Sequence, residues 1–163
     1  MRQAARGYPC GAEVRPVAIN FQLVIDCTDP ERLARFWAAA LGYEPEPPPA
    51  GFATWDEYWR DVGVPEEDLG LGVDSIIDPG GAGPRIWFQV VPEAKTIKNR
   101  LHLDISVSGG RTVPMEIRRQ RVDAEARRLA GLGATITRSL SEEGLDHYGV
   151  AMTDPEGNEF DIN

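Results

Sequence analysis

Histidine and cysteine are scarce in this chain, with two of each among 163 residues. Cys10 and Cys27 alone build neither a disulfide scaffold nor a cysteine metal cluster, and a reducing cytoplasm is the expected compartment. Long apolar runs are also lacking: none approaches the roughly 18–20 residues that a bilayer span needs. The opening MRQAARGYPCGAEVRP carries basic residues without an apolar stretch behind them, so no secretory leader is expected. Basic residues are outnumbered 17 to 26, for a formal net charge of −9. A phosphate-binding surface wants the opposite balance, so nucleic acid is not an expected partner. No Gly-rich nucleotide loop, zinc-protease HExxH or GxSxG nucleophile motif occurs, which removes the function classes those motifs carry.

What is present is a chain sized for one compact domain, with 42% hydrophobic residues. Residues 1–16 lack periodicity and read as a disordered tail. Over 17–26, Ile19, Phe21, Leu23 and Ile25 alternate with Asn20, Gln22, Val24 and Asp26, the period of a strand with one apolar face. Asp29-Pro30-Glu31 opens a helix with a cap, a proline in the first turn and an acid at the positive dipole end. Leu33, Phe36, Trp37, Ala40 and Leu41 make its buried stripe, and Gly42 stops it. The stretch 44–72 reads as an acidic insertion, in which Thr54-Trp55-Asp56-Glu57 starts a short helix as a capping box. Strands follow at 73–77 and 85–91. The pattern then restarts: a strand at 101–107 with His102, Asp104 and Ser106 on its polar face, a helix within 114–130, and strands at 134–140, 148–153 and 159–163.

The letters repeat as well. FQLVID before LARFWAAALG matches LHLDIS before EARRLAGLG, and a Pro turn (Ile77-Asp78-Pro79, Thr153-Asp154-Pro155) precedes each final strand. This is an internal duplication of a strand–helix–three-strand unit. Charge is uneven between its halves: residues 44–78 hold ten acids and one base, residues 94–140 ten bases and four acids. Solvated faces explain both runs.

Two βαβββ repeats carrying DPERLARFW…LGY, KNRLHLD and DPEGNEF resemble the vicinal oxygen chelate superfamily, in its glyoxalase-like branch beside the bleomycin-resistance proteins. The resemblance spans residues 17–163. It implies an α+β domain of two modules (17–93 and 99–163) whose curved half-barrel sheets enclose a shared cleft. It also implies metal-ligand positions on the first and last strands of each module, which fall on Gln22, Gln89, His102 and Asp161. His102 and Asp161 are the candidate acid–base pair, and Gln22, Gln89, Trp87, His102 and Asp161 the candidate ligand-binding set.

The donor chemistry at those positions is thin. Superfamily metal sites resemble His or Gln, then Glu, His and Glu; here one place is the neutral Gln89 and another the shorter Asp161. One carboxylate, one imidazole and two amides make a weak set for Zn²⁺, Ni²⁺ or Mn²⁺. An extradiol iron site needs two histidines, and only one falls here. Asp104, on the face of His102, reads as an orienting partner for its ring or an ion pair with Arg100. His147 falls in a loop ahead of a strand and reads as a surface residue. Trp55, Trp59 and Trp87 are candidates for an apolar wall beside a flat ligand. The expected function is therefore a small-molecule-binding protein, metal-free or with a weakly held cation. The alternative is a divalent-metal-dependent lyase or isomerase of the glyoxalase type. The sequence leaves the oligomeric state open, a homodimer being one candidate, and neither nucleic acid nor membrane is an expected partner.

Overall fold

A computed structural model of the chain describes residues 19–70 and 72–163. The expected tail at 1–16 and Cys10 lie outside the described residues. Module one runs β1 (Gln22–Cys27), α1 (Pro30–Leu41), β2 (Glu44–Pro45), α2 (Trp55–Asp61), β3 (Ser75–Ile77) and β4 (Arg85–Val90). Module two runs β5 (Asp104–Ile105), α3 (Met115–Gly131), β6 (Thr135–Leu140), β7 (Gly149–Thr153) and β8 (Glu159–Ile162). Each module forms its own four-stranded sheet, ordered β1-β4-β3-β2 in sheet A and β5-β8-β7-β6 in sheet B. In both, the first strand pairs parallel with the last and the other neighbours are antiparallel. The duplication in the letters is thus a duplication of topology. The two sheets stay separate and do not close into one barrel.

The local signals act as elementary chemistry requires. Asp29 accepts the Arg32 N–H at 3.0 Å, capping α1, and Gly42 ends the helix in the left-handed region at φ 71°. The Thr54 hydroxyl accepts the Glu57 N–H at 3.2 Å and the Glu57 carboxylate accepts the Ala53 N–H at 2.8 Å, which starts α2. Strands are shorter than their alternation. β1 begins only at Gln22, and exposed Ile19 and Phe21 lie outside it. β5 pairs with β8 over two residues only, and His102 lies in an irregular stretch before it.

One face of each sheet packs against helix, and the two modules share one apolar core. Leu33, Phe36 and Trp37 of α1 are buried with Ile86 and Phe88 of sheet A. α1 also reaches across the module boundary: the Phe160 ring of β8 lies 5.2 Å from the Trp37 ring and 6.0 Å from that of Phe36. On the other side of each sheet, the residues out of phase with this core form an open face. Those two open faces carry the polar side chains that bear on function.

Candidate functional site

Strand register fixes which side chains share an open face. In sheet B, Asp104 pairs with Asp161, Asp161 with Ala151, and Ala151 with Arg138. The four side chains stand in one row across the sheet, opposite in sense to buried Val150, Met152, Phe160 and Ile162. His102, two residues before Asp104, extends the same face. Its Nε2 lies 3.4 Å from Asp161 Oδ2 and 3.6 Å from Asp104 Oδ1. One donor atom from each of His102, Asp104 and Asp161 falls within 4.8 Å of the others. Asp104 is steadied from its far side: Asn163 Nδ2 donates to Asp104 Oδ2 at 3.3 Å, and Ser106 Oγ donates to Asn163 Oδ1 at 3.0 Å. The sequence reading missed Asp104 as a donor, although its His-x-Asp spacing on an alternating strand was the signal.

Sheet A treats the matching positions differently. Gln22 aligns with His102 in the repeat, so Val24 corresponds to Asp104. Register then pairs Val24 with Trp87 as it pairs Asp104 with Asp161. Two apolar side chains thus hold the places of the two carboxylates. Gln89 sits further along, opposite Asp26, four residues from the Gln22 pair and so about 13 Å away. The Gln22 amide oxygen accepts from Arg85 Nη1 at 3.0 Å, and Arg85 is ion-paired with Glu46 at 2.6 Å. Gln22 and Gln89 share a face but do not meet, and Gln22 is already occupied. His102 and Asp161 do meet.

The aromatic wall is also in module one. Trp55 and Trp59 stack at 5.5 Å, and Trp87 Nε1 donates to Asp74 Oδ2 at 3.1 Å. A hollow of about 40 Å³ lies between Trp55, Trp59 and Asp74. A far larger cavity, about 750 Å³, is lined by residues of both modules. Leu23, Ile25, Val91, Ile97 and Leu101 line it, with His102 at its margin. Cys27 borders this cavity, but burial, reinforced by the Glu156 carboxylate, pushes its thiol up to about 12. A thiol so rarely ionised is no nucleophile.

A family model described as a glyoxalase-like domain matches residues 22–163. No curated protein matches the chain. Among solved structures, a glyoxalase/bleomycin resistance/dioxygenase family enzyme from Burkholderia phytofirmans PsJN superposes with a TM-score of 0.53. It is 19% identical and covers 87% of this chain and 94% of its own. The fosfomycin resistance protein FosX from Listeria monocytogenes superposes at 0.57, with 11% identity over 91% of both chains. A point variant of that FosX, complexed with Mn(II) and 1S,2S-dihydroxypropylphosphonic acid, gives 0.56 at 11% identity over 91% of this chain and 92% of its own. These likenesses are of fold. With the family model spanning all but the N-terminal residues, and with two βαβββ modules observed, the chain belongs to the glyoxalase-like domain family of the vicinal oxygen chelate fold.

Proposed function

We propose that this protein binds a small molecule on the open face of sheet B through a divalent cation held by His102, Asp104 and Asp161. The observation that carries the reading is the convergence of those three donors within 4.8 Å. Their chemistry fits: two carboxylates offset the charge of a divalent ion, and an imidazole suits Zn²⁺, Ni²⁺ or Mn²⁺. Their spacing fits as well. Separations of 3.4 and 3.6 Å from His102 exceed a good direct hydrogen bond. Two ligands each about 2.1 Å from a shared tetrahedral ion stand about 3.4 Å apart. The sequence alone offered one carboxylate; Asp104 supplies a second. A structural neighbour complexed with Mn(II) and 1S,2S-dihydroxypropylphosphonic acid shows that a protein of this fold can hold a divalent ion.

A bound cation would supply polarisation of ligand oxygens. The chain supplies the rest. Asn163 and Ser106 hold Asp104 in place. Asp161, on the central strand of the row, is the carboxylate placed to accept a proton from a carbon beside those oxygens. That is lyase or isomerase chemistry of the glyoxalase type.

A second reading has its own observation. The inter-module cavity of about 750 Å³ falls in the size range of small-molecule sites, and its lining mixes apolar side chains such as Leu23, Ile25, Val91 and Leu101 with charged ones such as Asp26, Lys98 and Arg100. It suits a ligand with an apolar body and polar substituents, taken up without metal. Thermal denaturation separates the two. Mn²⁺, Zn²⁺ or Ni²⁺ should raise Tm in the wild type, by an amount corresponding to about 2.7 kcal/mol at one hundred times Kd. His102→Ala should abolish the rise. A chain unmoved by all three metals but stabilised by 1-anilinonaphthalene-8-sulfonate would favour the metal-free reading.

A further inference from the structure

His102 lacks the support that its counterpart in module one has. In sheet A the first strand runs Gln22–Cys27 and pairs with β4 over its whole length, so Gln22 sits in the ladder, opposite Arg85. In sheet B the ladder begins only at Asp104, opposite Asp161. Carried two residues back, that register would set His102 opposite Glu159. The chain there is irregular instead, and His102 belongs to the connector rather than to a strand. What strand pairing does for Gln22, another contact must do for His102.

Glu159 is placed to make it. Glu159 and Asp161 project from the same face of β8, two residues and so about 7 Å apart. Asp161 faces the His102 ring at 3.4 Å. Glu159 lies outside the donor cluster and turns to the connector. One oxygen, Oε2, accepts the Asn99 N–H at 3.0 Å and meets Lys95 Nζ at 2.9 Å. The Lys95 ammonium also donates to the Ile97 carbonyl at 2.6 Å, and the lysine stem passes 4.0 Å from where a Cβ on Gly157 would stand. The connector is thus fastened to the start of β8 over residues 95–99. The Asp161 N–H fastens it again at the Leu103 carbonyl, at 2.9 Å. His102 lies between the two fastenings.

The turn beneath the first fastening is itself held. Asp154 accepts the Glu156 and Asn158 N–H groups, and the Glu156 carboxylate accepts the Thr28 and Asp29 N–H groups of module one at 2.8 and 2.7 Å. Module one shows what the Glu159 position can do. There the matching residue is Arg85, whose Nη1 donates to the Gln22 amide oxygen at 3.0 Å. We propose that Glu159 is a positioning residue for His102: by pinning the connector at Asn99 it holds the imidazole beside Asp161, within the donor set. The inference rests on the reading of sheet B as the metal-holding face and adds a residue that touches neither ion nor ligand. Residues 95–102 also line the inter-module cavity, so the pin that sets His102 sets one wall of that cavity.

The test separates the acceptor from the charge. Glu159→Leu keeps the stem and removes the acceptor, whereas Glu159→Gln removes the charge and keeps an oxygen for the Asn99 N–H. Mn²⁺ affinity should fall about tenfold in Glu159→Leu, as for other residues that orient a ligand, and Glu159→Gln should recover most of it. Lys95→Met, which leaves Asn99 bonded, should stay within about fivefold of wild type. On a His102→Ala background Glu159→Leu should change nothing further, because the residue acts through His102. A carboxylate acting on the ion through space, or a general loosening of the domain, would lower affinity on both backgrounds. Chelator-treated protein gives a readout without metal: the nuclear Overhauser contact between the His102 ring protons and the Asp161 β-protons. It should be present in wild type and Glu159→Gln and absent in Glu159→Leu. A contact missing from wild type or kept in Glu159→Leu, unchanged Mn²⁺ affinity, no rescue by Glu159→Gln, or equal losses with and without His102 would each overturn the proposal. A wild type that binds no Mn²⁺ would overturn the metal reading instead, and the Overhauser contact would then decide this inference by itself. Should Glu159→Leu not fold, Glu159→Ser, too short to reach Asn99, takes its place.

Discussion

Asp154 shows how one buried carboxylate joins the modules. It is 2% exposed, and its oxygens accept the Glu156 and Asn158 N–H groups, each at 2.9 Å. They also accept the indole N–H of Trp37 at 3.1 Å, across the module boundary. A buried acceptor that loses a donor bears a desolvation cost, so Trp37→Phe should do more than trim an indole. It should lower unfolding free energy by about 1–3 kcal/mol, read from the denaturant midpoint at unchanged slope. Phe36→Leu, which removes apolar volume and no donor, should cost about as much through packing alone. Neither should alter metal affinity. Trp37 was legible as core from its place in the helical stripe. Its hydrogen bond was not, because Asp154 lies 117 residues away and no local pattern encodes that pairing.

Among elements, the connector over 91–103 spans the cavity between the modules, and Glu159 at the start of β8 ties it down. Its carboxylate accepts the Asn99 N–H at 3.0 Å and pairs with Lys95 at 2.9 Å. The Asn99 hydrogen bond first, then Lys95, hold that carboxyl down at about 2, against an ordinary 4.5. A lowered folded-state value means the stabilisation is complete above pH 4.5 and fades as pH falls from there toward 2. Wild type should therefore exceed Glu159→Gln in stability at pH 6, with the gap closing by about pH 2 in denaturant titrations followed by circular dichroism. A pH-independent gap would mean that the contact acts through packing instead. Element type was readable from period-two alternation and the Asp29 and Thr54 caps, except at β2, whose two residues Glu44 and Pro45 fall in the stretch read as an insertion and take strand form by pairing with Ile77 and Ile76. Strand extent was not readable. The alternation of Leu101, Leu103, Ile105 and Val107 is real, yet β5 is two residues long, although the Asp161 N–H donates to the Leu103 carbonyl at 2.9 Å and the Val107 N–H to that of Asn163 at 2.7 Å. His102 was a candidate through the family resemblance, and the structure places it beside Asp161. Asp104 was read only as an orienting partner, since its register beside Asp161 appears only once strands are paired.

At the scale of the whole molecule, duplication has produced two sheets of one topology and unlike chemistry. Module two keeps an imidazole and two carboxylates in one cluster. Module one carries Val24 and Trp87 at the corresponding register and closes Gln22 into a network with Arg85 and Glu46. On the function proposed above, the open face of sheet B seats metal and ligand, and sheet A is a wall. Titration of Mn²⁺ followed by the electron paramagnetic resonance of the free ion tests this most directly. The account predicts one bound Mn²⁺ per chain. Asp104→Asn, Asp161→Asn and His102→Ala should each weaken it more than about tenfold, while Gln22→Ala and Gln89→Ala leave it unchanged. Binding that survives loss of Asp104 and Asp161, or that fails with Gln22 or Gln89, would contradict the account.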